Sequence, residues 1–91
     1  MDTKNAELRI GVHRLIPGAG QLVRATSGSS GYDLASAEGA ELSIPPGAVA
    51  LVRTGLALEL PPGVEGQVRS RSGLAARNGV FVRNSPGTID S

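Results

Sequence analysis

Four arginines, Arg69, Arg71, Arg77 and Arg83, fall within fifteen residues that contain no acid, and they surround the stretch Ser70-Arg71-Ser72-Gly73. Two hydroxyls, a guanidinium fork and a glycine that lets the backbone approach closely suit anionic oxygens. A short helical turn predicted just beyond them would add unpaired first-turn N–H donors. The same four charges make an ordinary solvated basic face equally well, and composition alone does not separate the two.

Two carboxylates stand out beside turns. Asp33 follows Ser29-Ser30-Gly31-Tyr32 and precedes Leu34. At a strand edge it could hold a hydrated magnesium ion against phosphate oxygens, or it could simply cap its turn by accepting backbone N–H bonds. Asp90 could orient a water as nucleophile, or be a turn residue. Between them, Asn84-Ser85-Pro86-Gly87 reads as a tight turn. Its backbone groups, with the Asn amide, could pair with the edge of a flat polar ligand such as a base, or form a plain β-turn.

Other chemistries are excluded by composition. The chain has no cysteine, so it has no disulfide framework, thiolate nucleophile or Cys-based metal site. Its single histidine, His13, lies opposite the apolar positions of the first expected strand and supports no Ser-His-Asp arrangement. Neither GxxxxGK[ST] nor GxGxxG occurs.

The elements that must position these groups are short. Leu8, Ile10 and Val12 alternate with Arg9, Gly11 and His13, the two-residue period of a half-buried strand. A strand is expected over residues 32–37, another where Ala40, Leu42 and Ile44 alternate with Glu41 and Ser43, and one at Val80-Phe81-Val82. Pro45-Pro46-Gly47 and Pro61-Pro62-Gly63 close the runs that precede them. Residues 48–60 are too long for one strand, so Arg53-Thr54-Gly55 is read as a bulge or bend. Residues 74–78 read as a helical turn that Gly79 terminates. The rhythm of turns predicts an all-β sandwich or barrel in a single domain, residues 1–91, with no internal linker.

The 91 residues make 9.2 kDa and carry a net charge of +1. That balance, with Tyr32 and Phe81 as the only aromatics, argues against nucleic-acid binding. No apolar run reaches the roughly 20 residues of a membrane span, and no signal pattern opens the chain, so no membrane partner and a cytoplasmic location are expected. Residues 88–91 follow a turn at the start of an apolar step, where a last strand would be two or three residues long. A C-terminally truncated domain is expected.

Order and spelling say more than the single signals. Ser29-Ser30-Gly31-Tyr32-Asp33-Leu34 with Ala35-Ser36-Ala37, then Arg71-Ser72-Gly73-Leu74-Ala75, then Asn84-Ser85-Pro86-Gly87-Thr88-Ile89-Asp90-Ser91 resemble the first, second and opening third motifs of the homotrimeric dUTPase family. The resemblance runs from about Leu8 to the end. It implies a jelly-roll-like β-clip or barrel, three subunits about a threefold axis, and Mg²⁺-dependent hydrolysis of dUTP to dUMP and pyrophosphate. Carried onto matching positions, Asp33 would help hold the magnesium-bound triphosphate through water, and Arg71, Ser72 and Gly73 would contact the phosphates. Asn84, with the backbone of Gly87, Thr88 and Ile89, would read uracil. Asp90 would orient the attacking water and meet the sugar 3′-hydroxyl.

The family pattern continues past the Asp to a tyrosine that packs on the deoxyribose, a fourth motif and a glycine-rich arm, none of which occurs in these residues. The resemblance therefore implies that this piece alone is unstable and inactive while its parent is active. Three other readings compete: a dCTP deaminase-like enzyme of the same fold family, a non-catalytic β interaction module, and a nucleic-acid binder using the arginine stripe.

Overall fold

Proline and glycine set the turns of this chain, whose computed structural model describes residues 7–91. Gly47, Gly55, Gly63 and Gly79 take positive φ, and among the described residues no other residue type does. Each Pro-Pro-Gly segment closes a turn, Ala48 N–H donating to Pro45 O at 3.0 Å and Val64 N–H to Pro61 O at 3.2 Å. The Ser85–Pro86 peptide bond is cis.

Among the described residues four short strands and one helix form: β1 (Gly11–Arg14), β2 (Leu56–Glu59), β3 (Gly66–Val68), α1 (Ser72–Asn78) and β4 (Gly87–Ile89). β1 pairs with β2, and β3 pairs with β4, as two-stranded sheets. The described residues gather into two compact units, one holding Val12–Leu58 and the other residues 7–11 with 59–91.

In the unit Val12–Leu58, Ala19 and Ala37 are the buried apolar side chains. Their packing depends on Gly55, at φ 70°, where a Cβ would sit 2.5 Å from Ile16 Cγ1 and 3.0 Å from Ala19 Cβ. Leu15 N–H donates to Gly55 O at 2.7 Å. Of the bulge or bend expected at Arg53-Thr54-Gly55, the structure shows the left-handed backbone of Gly55 immediately before β2, with no turn or bend over residues 51–55. Arg53 also accepts the Ala37 N–H on its carbonyl at 2.7 Å and forks onto Glu38, Nε to Oε1 and Nη2 to Oε2, each 3.1 Å. Its own N–H donates to the same Oε1 at 3.0 Å. These bonds hold the Glu38 carboxyl below its ordinary pKa and the guanidinium above its own.

In the other unit β3 and β4 run antiparallel, Gly66 opposite Ile89, Gln67 opposite Thr88 and Val68 opposite Gly87. Alternation is clean here. Gly66, Val68, Gly87 and Ile89 are half-buried while Gln67 and Thr88 are exposed. The missing side chain of Gly66 makes room for Ile89 and Leu60, which a Cβ would meet at 3.4 and 3.7 Å.

Several expected strands do not form. β1 starts at Gly11, so Leu8 and Ile10 lie outside it, and residues 40–44 and 80–82 have no strand pairing. Of residues 32–37 only Asp33 joins a bridge, to Val23. The physical reason is that alternation marks a potential face, whereas a strand exists only where a neighbour takes its N–H and C=O groups. Leu42, Ile44, Val49, Leu51 and Phe81 accordingly remain exposed.

The surface area says the same. A folded monomer of this mass exposes about 4,900 Å² and its extended chain about 13,000 Å². The structure exposes 7714 Å², so roughly two-fifths of the chain's surface is buried instead of about 60%.

Candidate active site

The stretch singled out for anion chemistry lies on one open depression. Ser70, Arg71, Ser72, Gly73, Leu74 and Arg77 line a hollow of about 530 Å³, and no acid is among them. Its shape comes from α1. Arg71 is the N-cap with extended backbone and no side-chain cap bond, and Ala75 N–H donates to Arg71 O at 3.0 Å as the first helical bond. The N–H groups of Ser72, Gly73 and Leu74 therefore keep no intrahelical acceptor. At the other end Gly79, at φ 64° and ψ 22°, stops the helix, and Val80 N–H donates to Leu74 O at 3.2 Å.

Two of the four arginines meet in this hollow. Arg71 and Arg77 are exposed and pair with no acid among the described residues. The Arg77 guanidinium folds back over the first turn, so close to Gly73 that a Cβ there would lie 2.7 Å from its Nη2. Arg69 instead donates to Gln67 Oε1 from Nε at 3.2 Å and Nη2 at 2.7 Å, which turns it along β3. Arg83 is exposed outside the depression.

The residues of the Asn84–Gly87 segment lead into β4. Asn84 folds over Gly87, its Nδ2 3.3 Å from where a Gly87 Cβ would be. Ser85 N–H donates to Val82 O at 3.1 Å, so the hydrogen-bonded turn spans residues 82–85, two positions before the one expected over Asn84–Gly87. Gly87, Thr88 and Ile89 form β4, which has β3 on one side and no strand on the other among the described residues. Half of its main-chain donors and acceptors thus face an open edge. Asp90 follows directly, exposed, with no hydrogen-bond partner among the described residues.

Asp33 belongs to the unit Val12–Leu58. Its N–H donates to Val23 O at 2.7 Å, while its carboxylate is exposed and bonds no group among the described residues, so it is not a turn cap. The preceding loop is tied down by Arg24, whose Nη2 donates to Ser29 O at 2.6 Å and Ser27 O at 3.0 Å. The same guanidinium stands 5.9 Å from the Tyr32 ring centroid, within cation–π range. Thr26 and Ser29 hydroxyls meet at 2.9 Å.

Sequence reasoning named Ser70 and Ser85 only as members of their own stretches and missed the bond between them. Ser70 and Ser85 hydrogen-bond across 15 positions, Ser70 N–H to Ser85 Oγ at 3.2 Å, and Ser70 Oγ accepts from Val82 N–H at 2.9 Å. No local pattern signals a contact of that separation. Arg24 was missed as well, although an arginine five residues before a Ser/Gly loop is a reachable clamp for its carbonyls.

No three His, Cys, Asp or Glu side chains cluster as a metal cage among the described residues. A lone free carboxylate such as Asp33 fits the other mode, in which Mg²⁺ keeps most of its waters and is held mainly by substrate phosphates.

Short strands, one short helix and an acid-free basic hollow characterise the described residues as those of a mostly strand-built protein. Comparison with known proteins carries the assignment further. The dUTPase family model matches residues 19–91. The deoxyuridine 5′-triphosphate nucleotidohydrolase of Anaplasma marginale (strain St. Maries) is 50% identical over 86 residues, 92% of this chain and 58% of its own length. That of Mycobacterium marinum is 51% identical over 82 residues, 90% and 52% of the two chains, and that of Methylocella silvestris is 51% identical over 88 residues, 92% and 55%. The chain belongs to the dUTPase family, with its β-clip, jelly-roll fold. It spans about half the length of the curated relatives it matches.

Proposed function

We propose that the protein carrying this chain hydrolyses dUTP to dUMP and pyrophosphate. The observation that supports this best is the acid-free hollow in which Arg71 and Arg77, paired with no acid among the described residues, flank Ser72 and Gly73. Guanidinium groups not paired to an acid are free to take phosphate oxygens bidentately, and they favour the charge that builds on the phosphates in the transition state.

Each remaining residue then has a role. Asn84 and the open main-chain edge of Gly87, Thr88 and Ile89 take the polar edge of uracil. Asp90 accepts a proton from the attacking water and orients it in line with the α-phosphorus. The new bond joins that water oxygen to the α-phosphorus, and the bond to the bridging oxygen breaks as pyrophosphate departs. Asp33, in the unit Val12–Leu58, would be the residue to hold a hydrated Mg²⁺. That ion, when bound, neutralises phosphate charge.

Membership of the dUTPase family supports a homotrimer for the protein that carries this chain. The described residues include no helix long and apolar enough to cross a membrane. Offering dUTP, dTTP and dCTP to the protein as its gene encodes it tests the proposal. Preferred pyrophosphate release from dUTP is expected, and equal release from all three, or deamination of dCTP, contradicts it.

A further inference from the structure

The segment that leads into Asp33 is clamped by one arginine. Asp33 N–H donates to Val23 O at 2.7 Å, which closes residues 24–32 into a loop at its base. Arg24 stands at that base and reaches forward, its Nη2 donating to Ser29 O at 2.6 Å and to Ser27 O at 3.0 Å. Its guanidinium carbon also lies 5.9 Å from the centroid of the ring of Tyr32, the residue immediately before Asp33. Thr26 and Ser29 bond each other through backbone and hydroxyl groups, which shapes the tip of the loop without tying it to the base. A Cβ on Gly28 or Gly31 would meet nothing within 4 Å, so packing does not confine these two glycines, whose backbones have the widest freedom of any residue.

We propose that Arg24 is a positioning residue that fixes the Asp33 carboxylate for metal binding. This rests on the function proposed above, in which Asp33 is the residue for a hydrated Mg²⁺. An ion that keeps most of its waters and demands near-ideal octahedral geometry is sensitive to where a carboxylate stands. With the clamp in place, the loop tip and the Tyr32 ring are tied to one guanidinium, and the backbone that enters Asp33 is ordered before the ion arrives. Without it, Asp33 keeps its charge and its bond to Val23, but the residues before it sample more conformations, and ordering them opposes binding. Charge alone predicts the reverse, because removing a cation from the neighbourhood of a metal site favours the metal. Weaker metal binding on loss of Arg24 therefore reports position.

The test uses the protein as its gene encodes it, with the slowly hydrolysed α,β-imido analogue of dUTP bound, and the variants Arg24→Gln, Arg24→Lys, Asp33→Asn and Arg24→Gln with Asp33→Asn. Mn²⁺, which shares the oxygen-ligand preference of Mg²⁺, is titrated in and the free ion read by electron paramagnetic resonance. Affinity for the analogue is measured separately in EDTA. Arg24→Gln should bind Mn²⁺ about threefold to tenfold more weakly, as for one net hydrogen bond, with metal-free analogue binding within about twofold of the parent. Arg24→Lys should hold Mn²⁺ within about twofold of the parent, because both carbonyl bonds come from one nitrogen and an ammonium can donate to both. In the Asp33→Asn background, Arg24→Gln should cost nothing further.

Unchanged or tighter Mn²⁺ binding in Arg24→Gln, where Asp33→Asn weakens it, would overturn the proposal. The same loss from Arg24→Gln with and without the Asp33 carboxylate would overturn it too and make the clamp a brace for the fold only. Mn²⁺ binding unaltered by Asp33→Asn would instead overturn the metal role given to Asp33 above, so the two failures are distinguishable.

Discussion

The guanidinium of Arg77 lies across Gly73, four residues earlier on α1, with Nη2 2.7 Å from the point a Gly73 Cβ would occupy. Stability and binding should therefore separate in Gly73→Ala. The obstructing atom is the far end of a flexible side chain, and alanine favours a helix interior over glycine by about 0.8–1.0 kcal/mol. The variant should unfold at the same or slightly higher denaturant concentration, yet bind tripolyphosphate about tenfold more weakly because Arg77 is pushed out of the hollow. Lower stability with unchanged binding would contradict this.

Gly55 predicts the opposite behaviour. Alanine there must adopt φ 70° and place its Cβ against Ile16 and Ala19. The left-handed conformation costs about 1–2 kcal/mol, and overpacking costs typically about 1–3 kcal/mol more. Gly55→Ala should lower the unfolding midpoint sharply in a denaturant titration, and an unchanged midpoint would refute the packing described for this unit.

Glu38 gives the fold an acid-sensitive bond. Hydrogen bonds from the Arg53 side chain and backbone lower its pKa in the folded state, so the contribution is fully present above the ordinary carboxylate value and is lost as pH falls through the lower folded value. Replacement by Gln removes that dependence. The stability gap between parent and Glu38→Gln should be constant from neutral pH to about pH 5 and close below it, where Glu38 takes up its proton. A gap that widens in acid would be inconsistent with the ion pair.

Exposed apolar side chains make a further expectation concrete. Leu51 is 96% exposed, Phe81 68% and Leu8 65%. Produced alone, residues 1–91 should bind a hydrophobic dye, sediment as associated or heterogeneous species, and turn over no dUTP. A sharp monomer peak with native cooperativity would show that this surface needs no partner.

What the sequence made legible was local. Gly47, Gly63 and Gly79 mark turns because positive φ selects glycine residue by residue. Gly79 as helix terminator, and the closeness of Arg77 to Gly73 at i, i+4, follow from helix geometry. The motif residues Arg71, Ser72 and Asp90 were readable from their order along the chain. Pairings across 15 positions, Arg53 with Glu38 and Ser70 with Ser85, were not, because nothing in either local segment encodes its distant partner. The strands expected over residues 40–44 and 80–82 were overread for the same reason, alternation being local and pairing not.

The account turns on water attacking the α-phosphorus of dUTP. The most direct measurement is hydrolysis of dUTP in ¹⁸O-water with Mg²⁺ by the protein as its gene encodes it, alongside Asp90→Asn. The isotope is expected in dUMP and not in pyrophosphate, with kcat reduced about 10²- to 10⁴-fold in Asp90→Asn and the dUTP analogue still bound. Isotope in pyrophosphate, or undiminished turnover without the Asp90 carboxylate, would contradict it.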